Sequence, residues 1–506
     1  MGFDASVISG VVGFIEVEFS LSKIELGWSV ASLAFMATFA MLGAGPLSDR
    51  LGRKPVLQLA ALMFALSAVW SALAGSFIEL VIARMVGGLG VGAALIIAPM
   101  YIAELSPPAL RGRMVSLNQL NIVVGISVAF FSNYLILQLG ASTADWAAAL
   151  NFDVWNWRWM LGLEALPAVL YLLLLLKVPE SPRWLIMRNR DGEALTTLRR
   201  AYGTKQADAQ LATIRENIAL NSQAEGHQQP LGYLFRKPMR LVLLIGVSVA
   251  VLQQITGINS VFFYAPMIFE QSGIGTDAAF MQAILVGLTN LIFTLVAMAL
   301  IDSFGRRPIL LTGVAGIVFF MFLLAWAFNS ATYSLTADTI TQLSAGIDRF
   351  ALQSLQGVTF HSDIEFKSAL AAAMSTEQVQ RHESELIAAA INMNPQLILF
   401  GILGFVASFA VSLGPVMWVL FSELFPNRVR AIAISFVGFI NSGVSFLVQL
   451  LFPWQLANVG TAGTFFIYGV FAIIGWLIIA RLLPETRGKS LEEIEQQLVA
   501  PTGGTK

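Results

Sequence analysis

The chain has 506 residues, of which 57% are hydrophobic and 12% charged, with a net charge of −1; that charged share is roughly half that of an ordinary soluble domain. So apolar a chain cannot cover itself with polar surface in water, and Lys and Arg scattered through short loops give no footprint for nucleic acid. The absence of Cys excludes disulfides, thiolate metal sites and Cys nucleophiles.

Apolar segments of about 20 residues, the length that crosses a hydrocarbon core of about 30 Å, follow one another along the chain. They predict membrane helices at about 2–19, 27–47, 55–75, 78–103, 114–139, 157–177, 239–265, 280–301, 308–328, 395–421, 430–451 and 463–483. The expected class is an all-α polytopic membrane protein of twelve spans. The first segment has no basic leader and no small-residue cleavage site, so it is expected to stay in the protein. An even number of spans puts both termini on one side. Arg50, Arg53, Lys54, Arg111, Arg113, Arg306, Arg307, Arg428 and Arg430 fall on that side, whereas the opposite loops hold Lys23, Arg158, Arg349, Lys367 and Arg381. The excess of cations predicts cytoplasmic termini. Trp155, Trp157 and Trp159, where span 6 enters, read as an interfacial belt.

Three motifs recur in order: "SDRLGRKP" (48–55) with "DSFGRRP" (302–308), "ELSPPALR" (104–111) with "ELFPNRVR" (423–430), and "PESPR" (179–183) with "PETRG" (484–488). The ordered recurrence indicates duplicated six-helix halves. Residues 1–177 form the first half and 239–483 the second. Between them 178–238 is charged and helical, and 484–506 is a cytoplasmic tail in which "GKSLEEIEQQL" reads as an amphipathic helix. The second half is longer between its first two motifs by 66 residues, an excess that matches the polar stretch 329–394. That stretch is read as an external insert carrying one amphipathic helix, "STEQVQRHESELIAAA". Its expected role is decoration, with a lid or partner surface as the minority reading.

The motifs place carboxylates and cations in short loops: Asp49, Arg53, Glu104, Arg111, Glu180 and Arg183 in the first half, Asp302, Arg306, Arg307, Glu423, Arg430 and Glu485 in the second. Ion pairs among them, linking the bundles across the cytoplasmic face, would make a gate that switches by breaking and re-forming. The alternative is topological, with cations that hold the loops inside and form surface pairs worth little.

Together with "GFDASVISG", "PMYIAELSPPALRG", "PESPRWL", "QQITGIN", "GPVMWVLFSELFPNRVR" and "PETRGKSLEE", these motifs make almost the whole chain, the insert excepted, resemble the sugar porter family of the major facilitator superfamily. The likeness is strongest to bacterial proton symporters of the D-xylose type. It implies the major facilitator fold, an intracellular helical linker at 178–238, and a monosaccharide, pentose or hexose, carried with a proton by alternating access. A facilitative uniporter and a non-transporting sugar sensor are the alternatives. The implied protein works as a monomer in the cell membrane, its partners being the bilayer, the sugar and the proton. No cofactor, metal or enzymatic activity is expected: the His residues fall in loops, and H-E-x-x-H and G-x-S-x-G are absent.

Asp4, Arg84 and Glu164 fall within spans 1, 4 and 6, where ionisable groups are costly and usually belong to ion pathways. The matching positions in the resembling symporters serve proton coupling; a static ion pair, or for Asp4 a helix cap, is the alternative. Gln253, Gln254 and Asn259 on span 7, with Gly257 as a place for the helix to loosen, suit an uncharged ligand rich in hydroxyls. Gln119, Asn290, Trp418 and Asn441 match positions that contact sugar in the family. Each amide alone could instead join helices. Phe263 and Ser442 replace a Tyr and an aromatic residue common in relatives, which puts xylose in doubt as the sugar. Asp4 stands well inside the first span of relatives; the favoured reading is that Met1 is an internal methionine of a longer chain, and the alternative is a short first helix with Asp4 closer to cytoplasmic water.

Overall fold

The computed structural model describes residues 1–506 except 108–109, 226–230, 237–238, 345, 427–428, 488, 490–492 and 494–506. Among the described residues, eleven helices or consecutive helix pairs are long and apolar enough to cross a membrane. The first apolar segment is the twelfth member of the bundle, built from the helix Gly2–Val7, a 3-10 turn Ile8–Gly10 and the helix Val12–Glu18. Spans 2 to 5 are Lys23–Leu51, Arg53–Leu73, Phe77–Leu105 and Arg111–Gly140; span 6 is Asn156–Leu163 followed by Ala165–Lys177. Span 7 is Arg240–Ile255 followed by Ile258–Phe263, spans 8 and 9 are Thr276–Phe304 and Arg306–Asn329, and span 10 is Pro395–Val411 followed by Leu413–Leu424. Arg430–Asn458 and Thr461–Leu482 complete the set. Several helices outrun the apolar segments that announced them. Span 2 starts four residues early, because Ser22 and Glu25 close a capping box before the apolar run begins.

The helix breaks have local causes. Pro167 has no N–H to give the carbonyl of Leu163, and span 6 is interrupted there at Glu164. Gly257, at φ +84°, breaks span 7 where loosening was expected. Ser412 interrupts span 10 just before Gly414 and Pro415.

The halves meet along spans 2 and 11 and along spans 5 and 8. A Cβ on Gly27 would lie 2.0 Å from the carbonyl oxygen of Leu450, so only glycine lets spans 2 and 11 approach this closely. Ser127 Oγ donates to the carbonyl of Gly287 at 2.9 Å, Gln138 donates to Asp277, and Trp28 and Phe35 both pack on Phe446. The contacts of Phe446, Asp277 and Gly287 lie in the insert-side part of the spans, and Ser442 with Met41 at 3.5 Å lies past their middle, nearer the basic ends. Among the described residues, the halves are joined on the insert side and by no hydrogen bond or ring contact nearer the basic face than Ser442 with Met41.

The segment 178–225 forms the helices Pro182–Met187, Asp191–Tyr202 and Thr204–Glu225. The expected final helix of the tail lies almost wholly outside the described residues. The insert is more than one amphipathic helix. Strand β1 (Thr332–Ser334) pairs antiparallel with β2 (Thr359–Phe360) and with β3 (Ile391–Asn392), and the helices Asp363–Ala373 and Thr376–Ala390 cover its own apolar core. Phe366, fully buried, stacks on Tyr333 there at 5.4 Å. Trp157 departs from the belt expectation: it is 1% exposed and its Nε1–H is bound by Glu18, while Trp155 is exposed.

Candidate functional site

Asp4, Arg84 and Glu164 are brought together from spans 1, 4 and 6, at 1%, 2% and 4% exposure. Arg84 is within electrostatic reach of both carboxylates, and Asp4 of Glu164. They do not form the direct ion pair considered from the sequence: both carboxylate oxygens of Asp4, Arg84 Nε and Glu164 Oε1 lack a hydrogen-bond partner among the described residues. The Asp4 carboxylate packs against span 4, its Oδ2 standing 3.4 Å from where a Cβ on Gly87 would be. Close packing brings it there, since a Cβ on Gly2 would come within 1.9 Å of the Ile122 carbonyl oxygen on span 5. Asp4 and Glu164 line one cavity of about 620 Å³, which reaches Tyr101 and Val178 near the basic face and includes Asn118 and Asn121. Asn133 steadies the loosened turn of span 1, donating to the carbonyl of Val7 at 2.9 Å.

The second group sits between spans 7, 10 and 11. Asn441 Nδ2 donates to Gln253 Oε1 at 2.8 Å and to the Ala250 carbonyl at 2.9 Å; Gln254 Nε2 donates to Gln253 Oε1 and to Asn441 Oδ1. Asn259, set beyond the Gly257 break, donates to Gln254 Oε1 at 2.8 Å and to Ser445 Oγ at 2.7 Å. Gln253 Nε2 in turn reaches the Leu413 carbonyl at the break in span 10. These amides satisfy one another without a ligand, and each bond is of a kind a hydroxyl can replace. Ser445 and Gln449, bonded at 2.8 Å, extend the cluster. Sequence reading missed them, although Asn441, Ser445 and Gln449 recur every four residues and mark one polar stripe on an apolar helix. Asn290 is buried on span 8, Gln119 is half-buried on span 5, and Trp418 is 42% exposed on span 10; none hydrogen-bonds to the cluster among the described residues.

On the basic face the motif residues assemble twice, each time within one half. Arg53 bonds Asp49 at 2.8 Å and Glu104 through both Nε and Nη2, and Glu180 accepts the backbone N–H groups of Arg53 and Lys54. In the second half Arg306 holds Glu423 at 2.8 Å, and Glu485 accepts the N–H groups of Arg306 and Arg307. Ser181 bonds Glu104 as Thr486 bonds Glu423. Gly52 (φ +106°) and Gly305 (φ +89°) occupy equivalent turns, where a Cβ would strike Glu180 or Glu485. Ion pairs linking the two bundles, as expected from the sequence, are not seen among the described residues in this conformation. In this conformation the bonds of the described motif residues brace each half by itself. Arg430 donates to the Phe425 carbonyl, and Arg183 is exposed. The side chains of Arg111 and Asp302 lie outside the described residues.

The sequence profile of the family described as "Sugar (and other) transporter" matches residues 2–345 and 372–498. The arabinose-proton symporter of Bacillus subtilis (strain 168) is 34% identical, over 98% of this chain and 91% of that protein. The D-xylose-proton symporter of Escherichia coli (strain K12) is 32% identical, over 98% and 92%. The inward-open conformation of the xylose transporter from E. coli superposes with a TM-score of 0.72 at 31% identity, covering 98% of this chain and 96% of that one. Duplicated halves with matching motif networks, twelve apolar segments and these matches lead to one conclusion: the chain is a multi-pass membrane protein and belongs to the sugar porter family of the major facilitator superfamily.

Proposed function

We propose that the protein imports a monosaccharide, pentose or hexose, together with a proton, by alternating access across the cell membrane. Both termini face the cytoplasm, and one chain suffices for transport. The basic face is then cytoplasmic and the conformation inward-facing, closed outside by the contacts around Gly27 and Ser127.

The observation that carries the reading is the buried Asp4–Arg84–Glu164 group, in which Asp4 and Glu164 line one cavity and neither carboxylate is ion-paired to Arg84 among the described residues. With both acids ionised the group holds one more negative than positive charge. A single proton makes it neutral, and burial makes that neutrality valuable. Helix Gly2–Val7, which carries Asp4, touches Ile258–Phe263, the segment that carries Asn259. Proton uptake and sugar binding can thus bias the same pair of helices, and both ligands favour the arrangement they help to form. The sugar's hydroxyls take over bonds that Gln253, Gln254, Asn259 and Asn441 now make among themselves, with Gln119, Asn290 and Trp418 completing the wall as the halves close. The networks of Asp49, Arg53, Glu104, Arg111, Glu180 and Arg183, and of Asp302, Arg306, Arg307, Glu423, Arg430 and Glu485, stiffen each half for rocking and face each other when the cytoplasmic side shuts.

The experiment is uptake of labelled arabinose, xylose and glucose into proteoliposomes with and without an inward proton gradient. Gradient-driven accumulation is expected. Equilibration alone would indicate a uniporter, and binding without flux a sensor.

A further inference from the structure

The ion pairs on the insert face leave one charged group that sugar and proton binding do not use. Glu383, on the insert helix Thr376–Ala390, pairs with Lys367 of the insert at 2.8 Å and with Lys23 of the first half at 3.6 Å. Lys23 in turn pairs with Glu16 at 2.5 Å. All four side chains are no more than a quarter exposed. The insert itself is fixed to the second half: Lys367 donates to Gln271 at 2.8 Å, and Asp363 accepts from the N–H and Oγ1 of Thr461, both at 2.9 Å. The helix Val12–Glu18 packs against Thr376–Ala390 as well. The insert thus crosses from one half to the other, and the family profile is interrupted within it, at 346–371.

We infer that the insert is a releasable latch, in which the Lys23–Glu383 pair holds the two halves together on the insert face and sets how often that face opens. The geometry suits release. When the halves part there, Lys23 keeps Glu16 and Glu383 keeps Lys367, so opening breaks the longest pair and strands no partly buried charge. A pair shielded in this way is worth more than a fully exposed one, yet less than a buried one. Burial opposes the charge on Glu383, but Lys367 and Lys23 overcome it and hold its carboxyl below the usual range. The inference rests on the reading that the halves rock.

The test uses the natural absence of Cys. Spin labels on Thr143→Cys and Asn458→Cys, both exposed on this face in opposite halves, report the separation of the halves in lipid nanodiscs. Lys23→Gln and Glu383→Gln should each raise the long-distance population roughly two- to five-fold, and the double variant should do no more than either alone. Lys23→Gln leaves the insert's internal pair intact, so it stays informative if Glu383→Gln misfolds. Unchanged distances in a folded Lys23→Gln, or independent effects that multiply in the double variant, would overturn the latch. Uptake by the unsubstituted protein, measured in parallel, separates this outcome from failure of the transport reading.

Discussion

Arg53 grips Glu104 through two bonds, Nε to Oε2 at 3.1 Å and Nη2 to Oε1 at 3.2 Å, and the pair joins spans 3 and 4 of the same half. Its counterpart, Arg306 with Glu423, does the same in the second half. Motifs that look like a gate in sequence therefore act, in this conformation, as internal braces.

The two braces differ in burial, and stability should follow. The Arg53 and Glu104 side chains are 5% and 8% exposed, those of Arg306 and Glu423 14% and 20%. Glu104→Gln leaves a buried guanidinium short of its counter-charge, which costs about 3 kcal/mol or more. Glu423→Gln should cost less, about 1 to 2 kcal/mol. Thermal unfolding in detergent should show the larger drop for Glu104→Gln; equal drops would contradict the burial argument.

Gly52→Ala should destabilise by about 1 to 3 kcal/mol. It meets both a positive φ of +106° and the Glu180 carboxylate, 2.4 Å from the new Cβ. Because Glu180 also caps span 3, the same measurement should find Glu180→Ala destabilising, by about 0.5 to 2 kcal/mol.

Ser445→Ala removes the hydroxyl oxygen that accepts from both Asn259 Nδ2 and Gln449 Nε2. Binding of whichever sugar the uptake panel identifies should weaken about three- to ten-fold. Asn441→Ala, which removes bonds to Gln253 and Gln254, should weaken it at least as much. Titration calorimetry on the purified variants reads both, and an unaltered dissociation constant for Asn441→Ala would remove the amide cluster from the site.

Glu270 lies beyond the end of span 7, on the insert side. Burial pushes its carboxyl up to about 7, with a smaller push from Glu383 and Glu16, against a hydrogen bond from Thr276. A folded-state value above the unfolded one means that the folded protein holds this proton more tightly. Its stabilising contribution is complete below the ordinary carboxylate range near 4.5 and is lost as pH rises through about 7. Glu270→Gln should flatten the fall of melting temperature between pH 5 and pH 8. A variant that falls as steeply as the parent would contradict this.

What was legible in the sequence and what was not separates by distance along the chain. The twelve apolar segments, the duplicated motifs and the break at Gly257 are local features, written in hydropathy, repetition and a residue with no Cβ. The interruption at Glu164 was equally local and lay three residues before Pro167, yet a continuous apolar run hid it. Pairing was not legible: Asp49, Arg53, Glu104 and Glu180 could be picked out as motif residues, but only folding shows that they close on one another rather than on their counterparts. The sheet of the insert was invisible because strands of two or three residues carry no period. Lys23 and Glu383 stand 360 positions apart, and neither belongs to a recurring motif.

In the proposed transport cycle Asp4 carries the coupling proton. The direct measurement is uptake of the transported sugar by Asp4→Asn in proteoliposomes, first with an inward proton gradient and then as exchange with no gradient. Accumulation above equilibrium should disappear while exchange persists near the parent rate. Accumulation by Asp4→Asn equal to that of the parent would contradict the account.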